Sequence, residues 1–184
     1  MLGIDIKQIW RDVSEEQKTF LKRSLIAIIT WILLDTLVSI DNYLTNFVSY
    51  GSAYVANLLT TCNASIIKSQ LVNNNITIEK ISLVGCNTNI AIGHSCNGKA
   101  IIYLYTAFII ATAGYSINKK TFFCISGILL ITIANIFRIA GLFIIKRDAP
   151  TWFDIAHKNI FQMLMYVIII ALWMLFLKKI PSRS

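Results

Sequence analysis

The chain has few charged residues and few residues that favour turns. Charged side chains make up 14% of its 184 residues, against about 25% in a typical soluble domain, and this scarcity argues against a soluble globular protein. Two prolines and eight glycines exclude a collagen-like or linker-rich chain. Hydrophobic residues make up 56% of the chain and the mean hydropathy is +0.65. This composition excludes a disordered chain and predicts an integral membrane protein in a lipid bilayer.

Cysteine is also scarce, and its spacing matches no common motif. The four cysteines are Cys62, Cys86, Cys96 and Cys124, and no pair has the CxxC spacing of a zinc ribbon or a thioredoxin-like site. We predict neither a metal nor another cofactor. The net charge of +8 does not indicate a nucleic-acid partner, because Lys and Arg cluster at the ends of apolar segments, as membrane topology requires.

Four apolar segments predict transmembrane helices, at residues 25–40, 101–117, 122–145 and 160–177. Ser14, with Gln17 three residues later, is a suitable start for the first helix. A fifth segment, 43–59, is diluted by polar residues and predicts an amphipathic helix. The alternation of apolar and polar residues over 65–80, around three consecutive asparagines, predicts a small β-hairpin.

Basic residues set the predicted orientation. The lead at 1–23 carries five Lys or Arg, the turn after the 101–117 span two, and the C-terminal tail three, so the positive-inside rule places all three in the cytoplasm. Residues 60–97 and 146–158 then lie outside, with Lys146 and Arg147 as local exceptions. Segment 43–59 does not cross the membrane in this arrangement, and we interpret it as an outer-surface or re-entrant helix.

The expected fold is therefore an all-α integral membrane protein with four transmembrane helices, an outer amphipathic helix and a small extracytoplasmic β-hairpin region. Residues 1–184 form a single membrane domain. Within it, 1–23 is a cytoplasmic amphipathic lead, 43–97 is an extracytoplasmic segment, and 98–177 is the helical core that carries the candidate catalytic site.

Arg138 is a charged residue inside a predicted span, roughly 10 Å from the outer end of that helix at 1.5 Å per residue. A cation at this depth costs a few kcal/mol and usually faces a polar interior site; the alternative is that it reaches the headgroups. Asn135 lies three residues earlier on the same helix face, where it can orient the guanidinium.

Two other residues are expected in the same outer layer. Cys96 precedes the span at 101–117 and His157 precedes the span at 160–177, so a thiol, an imidazole and a fixed cation converge there. They suit a nucleophile, a general base and an anion stabiliser. Cys96 would lie at a helix N-terminus, where the dipole favours the thiolate. The supporting residues are Asn97, Gly98, Asn135 and Asp154: Gly98 would admit a substrate backbone, and Asp154 could orient the imidazole.

The order of these residues resembles the exosortase/archaeosortase family, most closely its short members from Bacteroidetes-type bacteria. The resemblance covers roughly residues 94–177: Cys96-Asn97-Gly98, a span, a short basic turn, Asn135-Ile136-Phe137-Arg138-Ile139, and His157 before the last span. It implies a cysteine protease or transpeptidase of the bacterial inner membrane, with Cys96 as nucleophile, Arg138 as the family's arginine and His157 as the third member.

The resemblance also implies the partners. Such enzymes cleave the C-terminal sorting signals of exported, membrane-anchored proteins at the outer face and are thought to transfer them to a surface acceptor. The chain departs from the family pattern in two respects. Lys99 follows Gly98 where many members have an apolar residue, and only four spans are predicted where many members have about eight.

Other interpretations stay open. Cys62 and Cys86 could form a disulfide in the oxidising outer compartment, whereas Cys124, near the cytoplasmic end of its helix, should stay reduced. His94 with Cys86, Cys96 and His157 could hold a metal, although their spacing matches no standard site. A function of another class is a non-catalytic membrane module, a transporter subunit or export assembly factor, in which Arg138 makes a polar contact between helices.

Overall fold

The structure is a computed structural model that describes residues 14–73, 76–93 and 96–178. It is mostly helical, with a small antiparallel sheet. In chain order the elements are α1 (Glu15–Leu37), α2 (Asp41–Leu59), β1 (Ser65–Asn73), β2 (Ile76–Gly85), β3 (Thr88–Ile92), α3 (Lys99–Ala111), α4 (Ile117–Asp148) and α5 (Phe161–Lys178). A 3-10 turn (Pro150–Trp152), one α-turn (Phe153–Ile155) and a π-helical turn (Ala156–Ile160) join α4 to α5.

Helix α1 begins as the sequence predicts. The Ser14 side chain accepts from the Gln17 amide and the Gln17 side chain accepts from the Ser14 amide, which completes a capping box. Ala27 is the only residue of α1 that is buried, and large apolar side chains such as Phe20, Leu25 and Ile32 are exposed along it. In water this surface would favour aggregation, but a bilayer accommodates it.

Helix α2 turns from α1 by 87° and packs on α4 through small residues. Thr45, Val48, Ser49, Ser52, Ala53 and Ala56 form its buried face. A Cβ built on Gly51 would lie 2.7 Å from Ile136 Cδ1, and Ser52 Oγ lies 3.2 Å from the Ile136 carbonyl oxygen. These small side chains let the two helices approach closely. The predicted amphipathic helix at 43–59 is thus present, and its polar small residues face a helix.

The sheet extends the predicted hairpin by one strand. β1 pairs with β2, and β2 pairs with β3, all antiparallel. The centre of the predicted hairpin at residues 74–75 lies outside the described residues. The second turn has Cys86 and Asn87 at φ of 46° and 58°, the left-handed conformation of a two-residue hairpin. Leu83, Ile90 and Ile92 pack with α2 and the second half of α4 in one core.

A second core holds the helices together at the other end of the molecule. Buried side chains of α3, α4 and α5 meet there, and the largest are Tyr105, Ile109, Ile131, Met165 and Phe176. The Tyr105 hydroxyl donates to the Phe123 carbonyl at 2.9 Å, so the buried phenol is paired.

Two helical segments of the described chain are long and apolar enough to span a bilayer: Ile117–Asp148 and Pro150–Lys178. The number rises to three if the bent pair Glu15–Leu37 and Asp41–Leu59 is one span. Together with the apolar exposed surface, these segments indicate a membrane protein. Helix α3 has 13 residues, about 20 Å at 1.5 Å per residue, and is shorter than the hydrocarbon core of about 30 Å.

Segment boundaries differ from the sequence prediction in two places. The span predicted at 101–117 is helical only to Ala111, and the turn that follows lies at 112–116. Lys119 and Lys120, predicted in that turn, belong to the first turn of α4, where Lys120 Nζ donates to the Ile110 carbonyl at 2.8 Å. Residues 1–13 of the predicted lead, and Lys179 and Arg183 of the predicted basic tail, lie outside the described residues.

Candidate active site

The site lies where the sheet meets three helical segments. A cavity of about 250 Å³ is lined by β3, the turn before α3, the second half of α4 and the junction before α5. Cys96, Arg138 and His157 all line it. Chain segments far apart in sequence thus bring together the three predicted catalytic residues. The other lining residues are Ile90, Ala91, Ile92, Ile139, Leu142, Lys146 and Phe153.

Cys96 lies in a short turn between β3 and α3, two residues before the N-cap Gly98. Its amide donates to the Gly93 carbonyl at 2.9 Å. Its carbonyl accepts from Asn135 Nδ2 at 2.9 Å, and Asn135 has no exposed surface. A buried amide of α4 therefore fixes the main chain of the nucleophile candidate. The thiol therefore lies just before the N-terminus of α3; that the helix dipole favours its thiolate stays a prediction.

Gly98 has φ of 85°, in the left-handed region that favours glycine. A Cβ at this position would lie 3.2 Å from Asn135 Nδ2 and 3.3 Å from Asn135 Cγ. The side chain that approaches Gly98 closely is thus Asn135. Gly98 thus has a structural role, because it makes room for the amide that holds Cys96; its expected role of admitting a substrate backbone stays a prediction.

Asn97 is 1% exposed and ties this turn to α2. Its Nδ2 donates to Thr45 Oγ1 at 3.1 Å and to Asp41 Oδ1 at 3.2 Å, and its Oδ1 accepts from the Lys99 amide at 2.9 Å. The amide side chain therefore has partners on both sides and supports the turn. Asn97 is a positioning residue in this arrangement, since it points away from the cavity lining toward α2.

Lys99, the residue that departs from the family pattern, binds two carboxylates at the bend between α1 and α2. Its Nζ lies 2.9 Å from Asp41 Oδ2 and 3.1 Å from Asp35 Oδ1. Three helices thus meet in one ion-pair cluster beside the cysteine turn. The cluster neutralises a lysine that would otherwise be a cation among apolar helix ends.

His157 lies in the π-helical turn Ala156–Ile160, an irregularity often found at functional sites. Its Nε2 is 3.8 Å from Cys96 Sγ. The ring stacks on Phe153, with centroids 5.8 Å apart and planes at 7°. The stacking restricts the imidazole and directs one ring nitrogen at the thiol. Such contacts are often long without substrate and shorten when it binds.

Asp154 does not take the place expected for it. It is exposed, and among the hydrogen bonds of the described residues none joins it to His157. The imidazole is oriented instead by the stacked Phe153 ring. The i, i+3 spacing predicted proximity on a regular helix, but the chain here passes from an α-turn into a π-helical turn, which changes which side chains share a face.

Arg138 has more donors than partners. Its Nη1 lies 3.4 Å from Asn135 Oδ1, as the i, i+3 spacing predicted. Its Nε is buried and has no hydrogen-bond partner in the described part of the chain. Because a buried donor without an acceptor is costly, it usually signals a missing partner such as a ligand. The guanidinium can therefore donate a hydrogen bond to an oxygen atom presented in the cavity.

Lys146 adds a second cation to the cavity lining. Its Nζ donates to the Asn89 carbonyl at 2.7 Å and lies 5.3 Å from the centre of the Phe153 ring. Among the described residues that line the cavity there is no Asp or Glu. In these apolar surroundings a thiol next to an imidazole can attack a carbonyl carbon, and the two cations can stabilise the negative charge on its oxygen.

Sequence reasoning did not find Phe153, Lys146 and β3 as parts of this site. In the sequence Lys146 differs from expectation only as a local exception to the positive-inside rule, and that exception was the available signal for a role in the site. Phe153 lies four residues before His157, a spacing that is ordinary for an aromatic pair on a helix. No local pattern indicated that the third strand would pass beside Cys96.

The remaining cysteines are accounted for in part. Cys62 and Cys86 form a disulfide, which joins the segment after α2 to the second sheet turn, and Arg147 Nη1 lies 3.1 Å from Cys62 Sγ. Neither Cys96 nor Cys124 is in a disulfide, and Cys86 is bonded to Cys62, so a bridge between Cys86 and the nucleophile candidate is excluded. The alternative metal site includes His94, which lies outside the described residues.

Comparison of the chain with protein-family models, with curated proteins and with solved structures finds no match. The class of protein is therefore defined by the fold and the site alone. The chain is a mostly helical membrane protein in which a thiol, an imidazole and a guanidinium face one cavity beside a small sheet.

Proposed function

We propose that the protein is a membrane-embedded cysteine peptidase or transpeptidase of the exosortase type. The observation that carries this proposal is the 3.8 Å contact between Cys96 Sγ and His157 Nε2 in a cavity that Arg138 also lines. The Cys96 thiol is separated by 61 positions from the His157 imidazole and by 42 from the Arg138 guanidinium, so the three groups come from three different segments.

The geometry supports a two-step acyl transfer. His157 takes the proton of Cys96, and the thiolate attacks the carbonyl carbon of the scissile peptide bond. The oxygen of the tetrahedral intermediate carries a negative charge that Arg138 stabilises. The carbon–nitrogen bond then breaks, His157 returns the proton to the leaving amine, and a thioester remains on Cys96. Water or an acceptor nucleophile then gives a proton to His157 and attacks the thioester carbon; the carbon–sulfur bond breaks, and His157 returns the proton to the Cys96 sulfur.

Arg138 is suited to the charge-stabilising role because it is held and still has donors to offer. Asn135 contacts both the guanidinium and the Cys96 main chain, so one buried amide sets the distance between nucleophile and cation. The buried Nε without a partner gains an acceptor when the carbonyl oxygen becomes an oxyanion. An interaction that is stronger in the transition state than before it accelerates the chemical step.

The substrate in this proposal is an exported protein anchored in the same bilayer. We propose four spans with both termini cytoplasmic and the site on the extracytoplasmic side of the bacterial inner membrane. A site at the ends of helices meets a peptide bond near the membrane surface, and a substrate helix in the same bilayer supplies the proximity. A C-terminal sorting signal with a hydrophobic helix and a basic tail fits, because the tail fixes its orientation.

Cysteine variants test the proposal. Cys96→Ala should abolish processing of membrane-anchored surface proteins, measured by mass spectrometry of their C-terminal peptides in cells that carry only the variant. Cys124→Ala is the matched control, because Cys124 is the other cysteine outside the disulfide and does not line the cavity. Cells that carry this variant should process the surface proteins normally. Normal processing with Cys96→Ala would contradict the enzyme and favour the non-catalytic membrane module.

Arg138 variants test the role of the guanidinium. Arg138→Ala should lower the processing rate by about 10²–10³, the usual effect of losing one oxyanion donor. Arg138→Lys should fail as well, since an ammonium does not reproduce the planar arrangement of donors. Lys158→Ala is the control cation, since Lys158 is next to His157 in sequence but exposed. Rates within about threefold of wild type for both Arg138 variants would overturn the assignment.

A further inference from the structure

Strand β3 forms one edge of the sheet, and that edge borders the candidate active site. Within the described residues the sheet order is β1-β2-β3, so there β3 has one side paired with β2 and one side without a neighbouring strand, its open side. Ile90, Ala91 and Ile92 of this strand line the same cavity as Cys96. A peptide that enters the cavity therefore passes beside main-chain groups of a sheet edge.

The register determines which of these groups face the open side. Gly85 and Thr88 are opposite each other across the two-residue turn, and such a closing pair is hydrogen-bonded. Hydrogen-bonded and non-hydrogen-bonded pairs alternate along an antiparallel ladder. Since Leu83↔Ile90 is two positions further along the ladder, Ile90 bonds to β2. The N–H and C=O groups of Asn89 and Ala91 therefore point away from β2.

An independent contact supports this register. Lys146 Nζ, on α4, donates to the Asn89 carbonyl at 2.7 Å, so that carbonyl faces the open side. Ala91 is exposed, whereas Ile90 and Ile92 are 7% and 3% exposed. The side chains of Ile90 and Ile92 thus anchor β3 in the core, while the main chain of Ala91, a residue that also lines the cavity, points away from β2.

We propose that the substrate binds as an added strand on β3, with its main chain hydrogen-bonded to Ala91 and its scissile carbonyl delivered to Cys96. This inference rests on the proposed function and deepens it. Strand addition recognises a peptide mainly through its backbone, and alternate side chains of an extended segment point to opposite faces. The apolar wall of Ile139, Leu142 and Phe153 receives one of these faces. The ligand class is an extended polypeptide with apolar side chains near the cleavage point.

A peptide electrophile tests strand addition without a known natural substrate. The probe is acetyl-tetraleucine chloromethyl ketone, which alkylates the Cys96 sulfur; the carbon–sulfur bond forms, chloride leaves, and the thiol proton goes to His157 or buffer. Four further probes each carry one N-methyl group on a different amide. The measurement is the rate of Cys96 labelling in the full-length protein in detergent, by intact mass, in a Cys124→Ala background.

Strand pairing predicts a two-residue period in this series. N-methylation should slow labelling about tenfold at the amides whose N–H groups face β3, which alternate along the probe, and about twofold or less at the others. Equal effects at all four amides, or none at any of them, would overturn strand addition. Iodoacetamide has no peptide backbone, and its labelling rate reports the thiol alone.

A variant of the strand gives a second readout. Ala91→Pro removes the N–H that faces the cavity, and proline is tolerated on edge strands in that orientation. Ala91→Val keeps the N–H and is the reference variant, so Ala91→Pro should lower the ratio of the peptide labelling rate to the iodoacetamide labelling rate about tenfold relative to Ala91→Val. Equal ratios for the two variants would contradict the inference. If Cys96→Ala abolishes processing while these effects are absent, strand addition fails and the proposed peptidase stands.

Discussion

At the scale of single residues, the candidate nucleophile is positioned by a neighbour that takes no part in the chemistry. Asn135 holds the Cys96 carbonyl and contacts Arg138, and it fits only because Gly98 has no side chain. Contacts among Gly98, Asn135 and Cys96 thus connect the turn before α3 to α4. The i, i+3 spacing in the sequence predicted the contact between Asn135 and Arg138. The approach of Asn135 to Gly98 is seen only in the structure, at the left-handed turn.

Substitution of Gly98 tests whether Asn135 positions Cys96. Gly98→Ala should lower the free energy of unfolding by about 2 kcal/mol, since it combines a left-handed alanine with displacement of Asn135. Gly114→Ala is the matched control, because Gly114 has φ of 87° and nothing within 4 Å of a built Cβ. It should cost about 1 kcal/mol. Thermal unfolding in detergent measures both.

Processing separates the two glycine variants further. Gly98→Ala should lower the processing rate at least about tenfold, because Cys96 moves with its carbonyl partner, and Gly114→Ala should leave it unchanged. Equal unfolding costs together with equal processing rates would show that Asn135 does not position the cysteine.

At the scale of secondary-structure elements, the ends of three helices are tied beside the site. Lys99 at the start of α3 binds Asp35 near the end of α1 and Asp41 at the start of α2. The Tyr103 hydroxyl donates to the Val38 carbonyl at 2.7 Å between the two aspartates. These contacts hold the 87° bend next to the turn that carries Cys96. Asp41 also lies at the N-terminus of α2, where negative charge is favourable.

A double-mutant cycle on Lys99→Met and Asp41→Asn measures this tie. We expect a coupling free energy of about 1–2 kcal/mol, because both side chains are largely shielded from solvent, at 19% and 23% exposed. The control cycle is Glu15→Gln with Lys18→Met. That ion pair has the same 2.9 Å separation, but Glu15 is 88% exposed, so its coupling should be clearly smaller because solvent screens the pair. Equal couplings in the two cycles would contradict a structural role for Lys99.

At the scale of the whole molecule, the helices differ too much in length to cross a bilayer in the same way. Helix α4 has 32 residues, about 48 Å, whereas α3 has 13, about 20 Å at 1.5 Å per residue. A short helix can be accommodated by thinning of the bilayer or by its flanking residues. The sheet lies at the end of α4 that carries Arg138, so its side of the membrane decides where the site opens.

Cysteine labelling in intact cells tests the orientation. In a Cys96→Ala, Cys124→Ala background, Ile67→Cys on β1, where the native side chain is 50% exposed, should react with a membrane-impermeant maleimide from outside. Lys178→Cys, at the far end of α5, should react only after permeabilisation, because the basic ends of the spans are predicted to be cytoplasmic. The opposite pattern would place the site in the cytoplasm and overturn the proposed outer-face activity.

The sequence by itself determined the membrane class, most helical segments and the three residues that share a cavity. The lengths of the apolar segments and the short connections between them are local properties of the sequence. They predict that Cys96, Arg138 and His157 lie at the same end of neighbouring helices. Only the tertiary structure decided what holds them. The amide of Asn135 reaches Cys96 across 39 positions, the third strand supplies a cavity wall, and a π-helical turn directs His157 at the thiol while Asp154 stays exposed. Such contacts depend on packing between distant segments, which no local periodicity encodes.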